Sequence, residues 1–190
     1  GTAYDELFLA DNDTNGAQNE FIFALNFDGL QSQTYGGTTF LVHAAVGGTM
    51  NAADFGINGG WGGLRTTKGL VEKFASGDQR GMFHSDGQSL EISKIPPFKE
   101  GYAVSKFKNV DSNGNAGSDT GGDFVDTDLP LIRLAEIYLN YAEASLRGGG
   151  GDLGLAASKI NELRGRAYGN NSGNISTGDL NLDFVLNERS

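Results

Sequence analysis

The stretch Leu129-Pro130-Leu131-Ile132-Arg133-Leu134-Ala135-Glu136-Ile137-Tyr138-Leu139-Asn140-Tyr141-Ala142-Glu143-Ala144 carries apolar residues three and four positions apart. Leu131, Leu134, Tyr138 and Tyr141 share one face of a helical period, with Ile137 and Ala144 on its flank. The spacing predicts a helix over this stretch. Pro130 suits a first helical turn, where its missing N–H has no partner in any case. Asp128 stands where a carboxylate can accept from the free N–H groups of that turn. The run Gly148-Gly149-Gly150-Gly151 stops the helix, since glycine gives up too much backbone entropy there. A second helix is expected over about 153–167, with Ala156, Ile160 and Leu163 inward. Two helices joined by a short glycine turn form an antiparallel hairpin, the unit of helical-repeat proteins. One hairpin cannot bury its own faces and needs neighbours. A third pattern opens near 177–180 and still runs through Phe184, Val185, Glu188 and Arg189 where the sequence stops. Residues 4–10 likewise begin inside an apolar helix-like turn. Both features predict a piece of a larger protein.

The preceding 128 residues have another character. Glycine makes up 30 of the 190 residues, against a usual share of roughly 7%. Ten of those glycines fall between Gly29 and Gly63, so that stretch is expected to be mostly loop. The 19 aromatic residues (12 Phe, 6 Tyr, 1 Trp) argue for a folded chain rather than a disordered one. Residues 19–27 alternate, with Phe21, Phe23, Leu25 and Phe27 on one side and Ile22, Ala24 and Asn26 on the other. Period two predicts a strand with one heavily buried face, placing Phe21, Phe23 and Phe27 in the core. Short strands are expected at 38–42, 91–95 and 104–107, and a short helix at 70–74. Residues 111–123 read as a polar loop.

Composition excludes several classes of function. With 24 acidic and 14 basic residues the formal net charge is -10, which lacks the basic face a nucleic-acid binder needs. No cysteine is present, so disulfides, thiolate zinc sites and cysteine nucleophiles are absent from this sequence. No apolar run approaches the roughly 20 residues of a membrane span.

The helix motif above closely resembles the hallmark helix of the SusD/RagB family, surface lipoproteins of Bacteroidetes-type bacteria that bind glycans. Ile160-Asn161-Glu162-Leu163-Arg164-Gly165-Arg166-Ala167 looks like that family's next helix, and Val185-Leu186-Asn187-Glu188-Arg189 like the start of the one after. Glu6-Leu7-Phe8 with Ala10-Asp11-Asn12-Asp13, Tyr35-Gly36-Gly37-Thr38-Thr39-Phe40-Leu41-Val42 and Asn58-Gly59-Gly60-Trp61 resemble its starch-type branch. The resemblance implies a mainly α protein with an irregular, loop-rich α+β layer. Residues 1–128 are then a loop-rich glycan-binding part with short strands. Residues 129–190 are a tetratricopeptide-type helical hairpin of the family's scaffold. It implies α-glucan (maltooligosaccharide) capture for a TonB-dependent outer-membrane transporter, at the cell surface, on a lipid anchor outside this chain. A relative that takes another glycan or a peptide, and acts mainly by docking on the transporter, is the alternative.

Tyr35 and Trp61 each sit beside glycines, which keep a neighbouring ring accessible. A lone tryptophan more often packs in a core, but this setting favours a site. A flat indole face matches the C–H face of a glucose ring. Covering about 60 Å² of apolar surface per stacked sugar stabilises by roughly 1.5 kcal/mol. Two or three such sugars, less ordering costs, give affinity in roughly the millimolar to micromolar range. By resemblance, Tyr35 and Trp61 are two rings of an aromatic arc, with Asn58, Gly59 and Gly60 supplying polar contacts to sugar hydroxyls.

Asp11-Asn12-Asp13-Thr14-Asn15-Gly16 matches the first half of an EF-hand loop. The twelfth position is Ile22, where a bidentate glutamate is required, so the motif is not one. The resemblance instead implies structural calcium held by Asp13, Gln18 and Asn19 together with Asp126 and Asp128. Capping of a turn by Asp13 and of the helix by Asp128 is the simpler use of those carboxylates. Catalysis has little support. The two histidines, His43 and His84, are far apart in sequence, and no nucleophile, phosphate-loop or zinc motif occurs. Glu136 and Glu143 share a polar helix side with Arg133, which is expected to pair with one of them.

Overall fold

A computed structural model describes residues 3–190. In chain order the elements are β1 (Phe21–Leu25), α1 (Gly37–Ala45), β2 (Arg65–Thr66), α2 (Lys68–Val71), β3 (Phe83–His84), β4 (Tyr102–Val104), β5 (Leu129–Arg133), α3 (Leu134–Leu146), α4 (Leu153–Tyr168) and α5 (Leu182–Glu188). Single 3-10 turns at Asp5–Phe8, Ala17–Glu20, Ala52–Phe55 and Asn171–Gly173 punctuate the loops. The chain is thus helix-rich with a few short strands.

The hairpin of α3 and α4 forms as the spacing predicts, but its first turn starts later. Residues 129–133 are extended and pair antiparallel with β1, Leu25 opposite Leu129 and Phe21 opposite Arg133. Pro130 therefore sits in a strand of a two-stranded sheet, where a missing donor can face outward. Asp128 caps no helix; its Oδ1 accepts from the Phe27 N–H at 2.8 Å. Its backbone exchanges two hydrogen bonds with the buried Asn12 side chain, at 3.0 and 3.1 Å. The inward face of α3 also differs from the one the spacing predicts. The buried positions of α3 are Leu139 and Ala142, while Leu131, Leu134 and Ile137 lie exposed. Leu139 and Ala142 meet Ala156 and Ile160 of α4 and Val185 of α5 in one core. Asp152 caps α4 through the N–H groups of Gly154 and Leu155, and Asn181 caps α5 through that of Phe184.

β1 does not bury one face. Phe23 is 52% exposed, and Ile22 and Leu25 are exposed beside it. A two-stranded ribbon has no second layer behind it among the described residues, so alternation there does not translate into burial. Phe21 is half-buried against Tyr4, Leu7, Phe8 and Ala17, and Phe27, beyond the strand, is half-buried with its ring over Gly37.

Residues 38–42 are helical rather than extended. Thr38, Thr39, Val42, His43, Ala45 and Val46 are all buried, a spacing of three and four that a strand cannot present to one core. Burial overrides the β preference of Thr and Val. Gly37 opens α1 at φ +57, where a Cβ would meet the Phe27 ring at 2.1 Å. Val42 and Val46 pack on Phe55, Ile57 and Val125 in a second core. The expected strand at 91–95 is a loop, held where the Arg65 guanidinium donates to the carbonyls of Ile95, Pro97 and Glu100. Extended backbone occurs just ahead of 104–107, in β4, which lies between β2 and β3.

Ion pairs tie the loop-rich layer to the hairpin. Glu20 accepts from Arg133 at 2.9 Å and from Arg166 of α4. Burial pushes the Glu20 carboxyl up, but the Arg166 and Arg133 guanidiniums outweigh it and hold it below its ordinary range. Arg133 does not pair with Glu136 or Glu143; Arg189 of the last turn takes both, at 2.5 and 3.1 Å.

Candidate functional site

The carbonyls at the end of α1 lack helical partners. The segment after Gly59 supplies them. Trp61 donates to the His43 carbonyl at 2.8 Å, Gly62 to that of Val46 at 2.9 Å, and Gly63 and Leu64 to that of Ala44 at 2.8 and 2.6 Å. Gly60 is where this segment passes closest, and a Cβ there would stand 2.1 Å from the Val46 oxygen. A Cβ on Gly59 would meet nothing within 4 Å. Gly60 is thus a packing requirement, whereas Gly59 is open.

This backbone seam presents Trp61 outward. Its ring is 45% exposed and stands between Tyr35, 63% exposed, and Phe40, 46% exposed. Ring centroids are 6.2 Å from Tyr35 and 6.1 Å from Phe40, with planes inclined by 56° and 54°. Phe124 continues the row, 5.1 Å from Tyr35 at 43°. Four rings, Phe124, Tyr35, Trp61 and Phe40, each tilted against the next, therefore form a contiguous apolar row. Successive rings are about a pyranose width apart. The underside of Trp61 rests on His43, centroids 4.8 Å apart and planes within 18°.

Tyr35 and Trp61, the two rings singled out from sequence, come together as expected. Phe40 and Phe124 were not singled out. Phe40 belongs to a segment read as a strand, and Phe124 reaches the row from a loop more than 60 residues beyond Trp61. Asn58 lies at the rim, and its Nδ2 donates to the Gly121 carbonyl at 2.9 Å and the Asp123 carboxylate at 2.7 Å. Both donor hydrogens are spent on the neighbouring loop, so Asn58 can offer a ligand only its amide oxygen.

The proposed cation ligands divide. Asp126 is committed to the loops: Oδ1 accepts from Gly29 at 2.7 Å and from the Ser118 hydroxyl at 2.7 Å, and Oδ2 from the Ser118 N–H at 2.6 Å. Gln18 Oε1 accepts from the Gly16 N–H at 2.7 Å, and Asn19 Nδ2 donates to the Gly16 carbonyl at 3.1 Å. Asp13 lies close enough to Asp128 for its charge to be felt there. Burial pushes the Asp128 carboxyl up, the Phe27 N–H partly offsets this, and the charge of Asp13 adds to the rise. Among the described residues no cluster of three or more His, Asp and Glu forms a fuller set.

Other polar groups are engaged structurally. Glu136 and Glu143 share the Arg189 guanidinium rather than facing a cleft together. His84 Nε2 lies 3.0 Å from the Thr49 hydroxyl, and His43 is enclosed beneath Trp61.

Comparison with known proteins agrees with the fold and the motifs. Residues 93–190 match the model of the SusD family. The starch-binding protein SusD of Bacteroides thetaiotaomicron is 31% identical over an alignment covering 87% of this chain and 37% of that protein. A SusD superfamily protein from Parabacteroides distasonis superposes on the whole chain with a TM-score of 0.61 at 22% identity, which covers 39% of that structure. Surface glycan-binding protein A from Bacteroides fluxus gives 0.62 at 20% identity over 97% of this chain and 40% of its own. The chain therefore spans about two fifths of the relatives' length. The Bacteroides thetaiotaomicron and Bacteroides fluxus relatives are named for binding, of starch and of glycan.

Proposed function

Because the chain belongs to the SusD family, we propose that it binds glycan without chemistry, and that its ligand is an α-glucan. The observation that carries this reading is the row of four tilted rings, three on loops and one, Phe40, on α1. Coplanar rings suit a straight chain of sugars, and rings inclined to one another suit the turning path of an α-glucan. Tyr35 and Trp61 would stack on sugar faces, Phe40 and Phe124 would extend the contact, and the Asn58 oxygen would accept from a hydroxyl. The motif resemblance to a starch-binding relative points the same way. On this reading the protein captures maltooligosaccharide at the outer surface of the outer membrane, lipid-anchored, and hands it to a TonB-dependent transporter. Weak stacking suits a surface that holds a polymer at many points. Calcium, held by Asp13 and Asp128 with the oxygens of Gln18 or Asn19, would staple two segments more than 100 residues apart; Asp126 takes no part.

Titration with maltoheptaose, followed through the fluorescence of Trp61, tests the ligand class. Trp61 is the only tryptophan, so any change reports this surface. A saturable shift with maltoheptaose and none with cellooligosaccharides is expected. A flat response from folded protein, or an equal response to both sugars, refutes the α-glucan reading.

A further inference from the structure

His43 is 2% exposed and makes two contacts that one neutral imidazole cannot both satisfy. Nδ1 lies 2.7 Å from the Gly59 carbonyl oxygen and Nε2 lies 3.0 Å from the Asp123 carbonyl oxygen. Both partners are acceptors only. A neutral ring carries one N–H, so its second nitrogen would set a lone pair against a carbonyl oxygen. The imidazolium carries two N–H groups and donates to both. The two carbonyls belong to the turns that bear Trp61 and Phe124. The backbone oxygen of His43 also accepts from the Trp61 N–H at 2.8 Å, and its ring lies flat beneath the indole.

We infer that His43 is the positioning residue of the aromatic row and acts as the imidazolium, drawing the Gly59 and Asp123 turns onto one ring so that Trp61 and Phe124 stand at their observed spacing. The inference rests on reading the row as a glycan platform. α1 carries no other ionisable side chain, and residues 55–64 carry none. The ionisable groups on the remaining packed segment are carboxylates: Asp119, Asp123 and Asp126. Asp123 is bonded to Asn58, Asp119 to the N–H groups of Gly121, Asp123 and Phe124, and Asp126 to Gly29 and Ser118. Glycan affinity then depends on the proton on His43.

The experiment is a set of maltoheptaose titrations by calorimetry on the whole chain, at steps across the range in which histidine titrates, about pH 5 to 8. Wild type, His43→Gln, His43→Phe and a His84→Gln control are compared, with folding checked by circular dichroism at each pH. Wild-type affinity is expected to fall by roughly three- to tenfold as pH rises, the scale of one net hydrogen bond lost. The His43 variants are expected to bind weakly and without that pH dependence, and His84→Gln to behave as wild type. A flat wild-type profile, or the same profile in His43→Gln, overturns the inference. Failure of wild type to bind at any pH overturns the platform reading instead. His43 is then judged on the free protein. A protonated imidazole stacked on indole quenches its emission, so Trp61 fluorescence should rise with pH in wild type and stay level in His43→Gln. Wild-type emission no lower than that of His43→Gln at every pH refutes the doubly donating ring whatever the sugar.

Discussion

Replacing Trp61 with alanine separates the two roles of its ring. The exposed side would lose one stacked sugar, about 60 Å² of apolar contact, or roughly 1.5 kcal/mol and about a tenfold loss of affinity. The covered side rests on His43, and about half of the ring's surface is buried. Aromatic side chains bury roughly 150–250 Å² when enclosed, so about 100 Å² is at stake, or up to about 2.5 kcal/mol of stability. Calorimetric titration with maltoheptaose reads the first number, and urea unfolding of the free protein reads the second. Trp61→Phe should recover part of both, since a smaller ring still stacks on His43. Affinity of Trp61→Ala within twofold of wild type, in protein that still unfolds cooperatively, refutes the stacking argument. Loss of all binding together with a stability loss well above 3 kcal/mol would show that the ring serves the fold more than the ligand.

Gly60→Ala should destabilise by about 3 kcal/mol or more, because its Cβ would press on the Val46 carbonyl, while Gly59→Ala should change urea stability by less than about 0.5 kcal/mol. Glu20→Gln should cost about 2 kcal/mol, the scale of hydrogen bonds to a charged group, in a chemical-denaturation midpoint. The folded-state pKa of Glu20 is depressed, so its stabilisation is full above its unfolded value of 4.5 and lost as pH falls below it; Glu20→Gln should flatten that acid limb. Asp128 has the opposite sign: its raised folded-state pKa means that, without a cation, its contribution to stability is lost as pH rises through that value. Millimolar calcium should therefore raise the wild-type melting temperature at neutral pH and leave Asp128→Asn unmoved, as scanning calorimetry can check.

Much of the helical half can be read from spacing alone. The glycine run, the Asp152 cap and the pattern of Ala156 and Ile160 are local signals, and they specify the hairpin without reference to distant residues. The start of α3 cannot be read that way. Pro130 fits a first helical turn and an extended strand equally well, and only pairing with β1, over 100 residues earlier, selects the strand. α1 was hidden because Thr38, Thr39 and Val42 favour strands locally, whereas burial against Phe55 and Val125 requires a helix. Tyr35 and Trp61 were found through glycine neighbours and motif resemblance. Phe124 and His43 carry no local sign of their place, since their partners are brought to them by the fold. The same holds for Glu20, whose arginines lie on β5 and α4.

The seam between the end of α1 and the Trp61 segment consists of backbone hydrogen bonds, not ring-specific packing. Shape and chemistry at this surface are therefore separable. The peptide scaffold sets where Trp61 and Phe40 stand, and the Trp61 ring itself meets its neighbouring rings and His43. Relatives could exchange one ring for another, or for a polar group, and so adopt a new sugar without rebuilding the frame. Such a scaffold lends itself to diversification, and equally to deliberate retargeting by substitutions at positions 35, 40, 61 and 124.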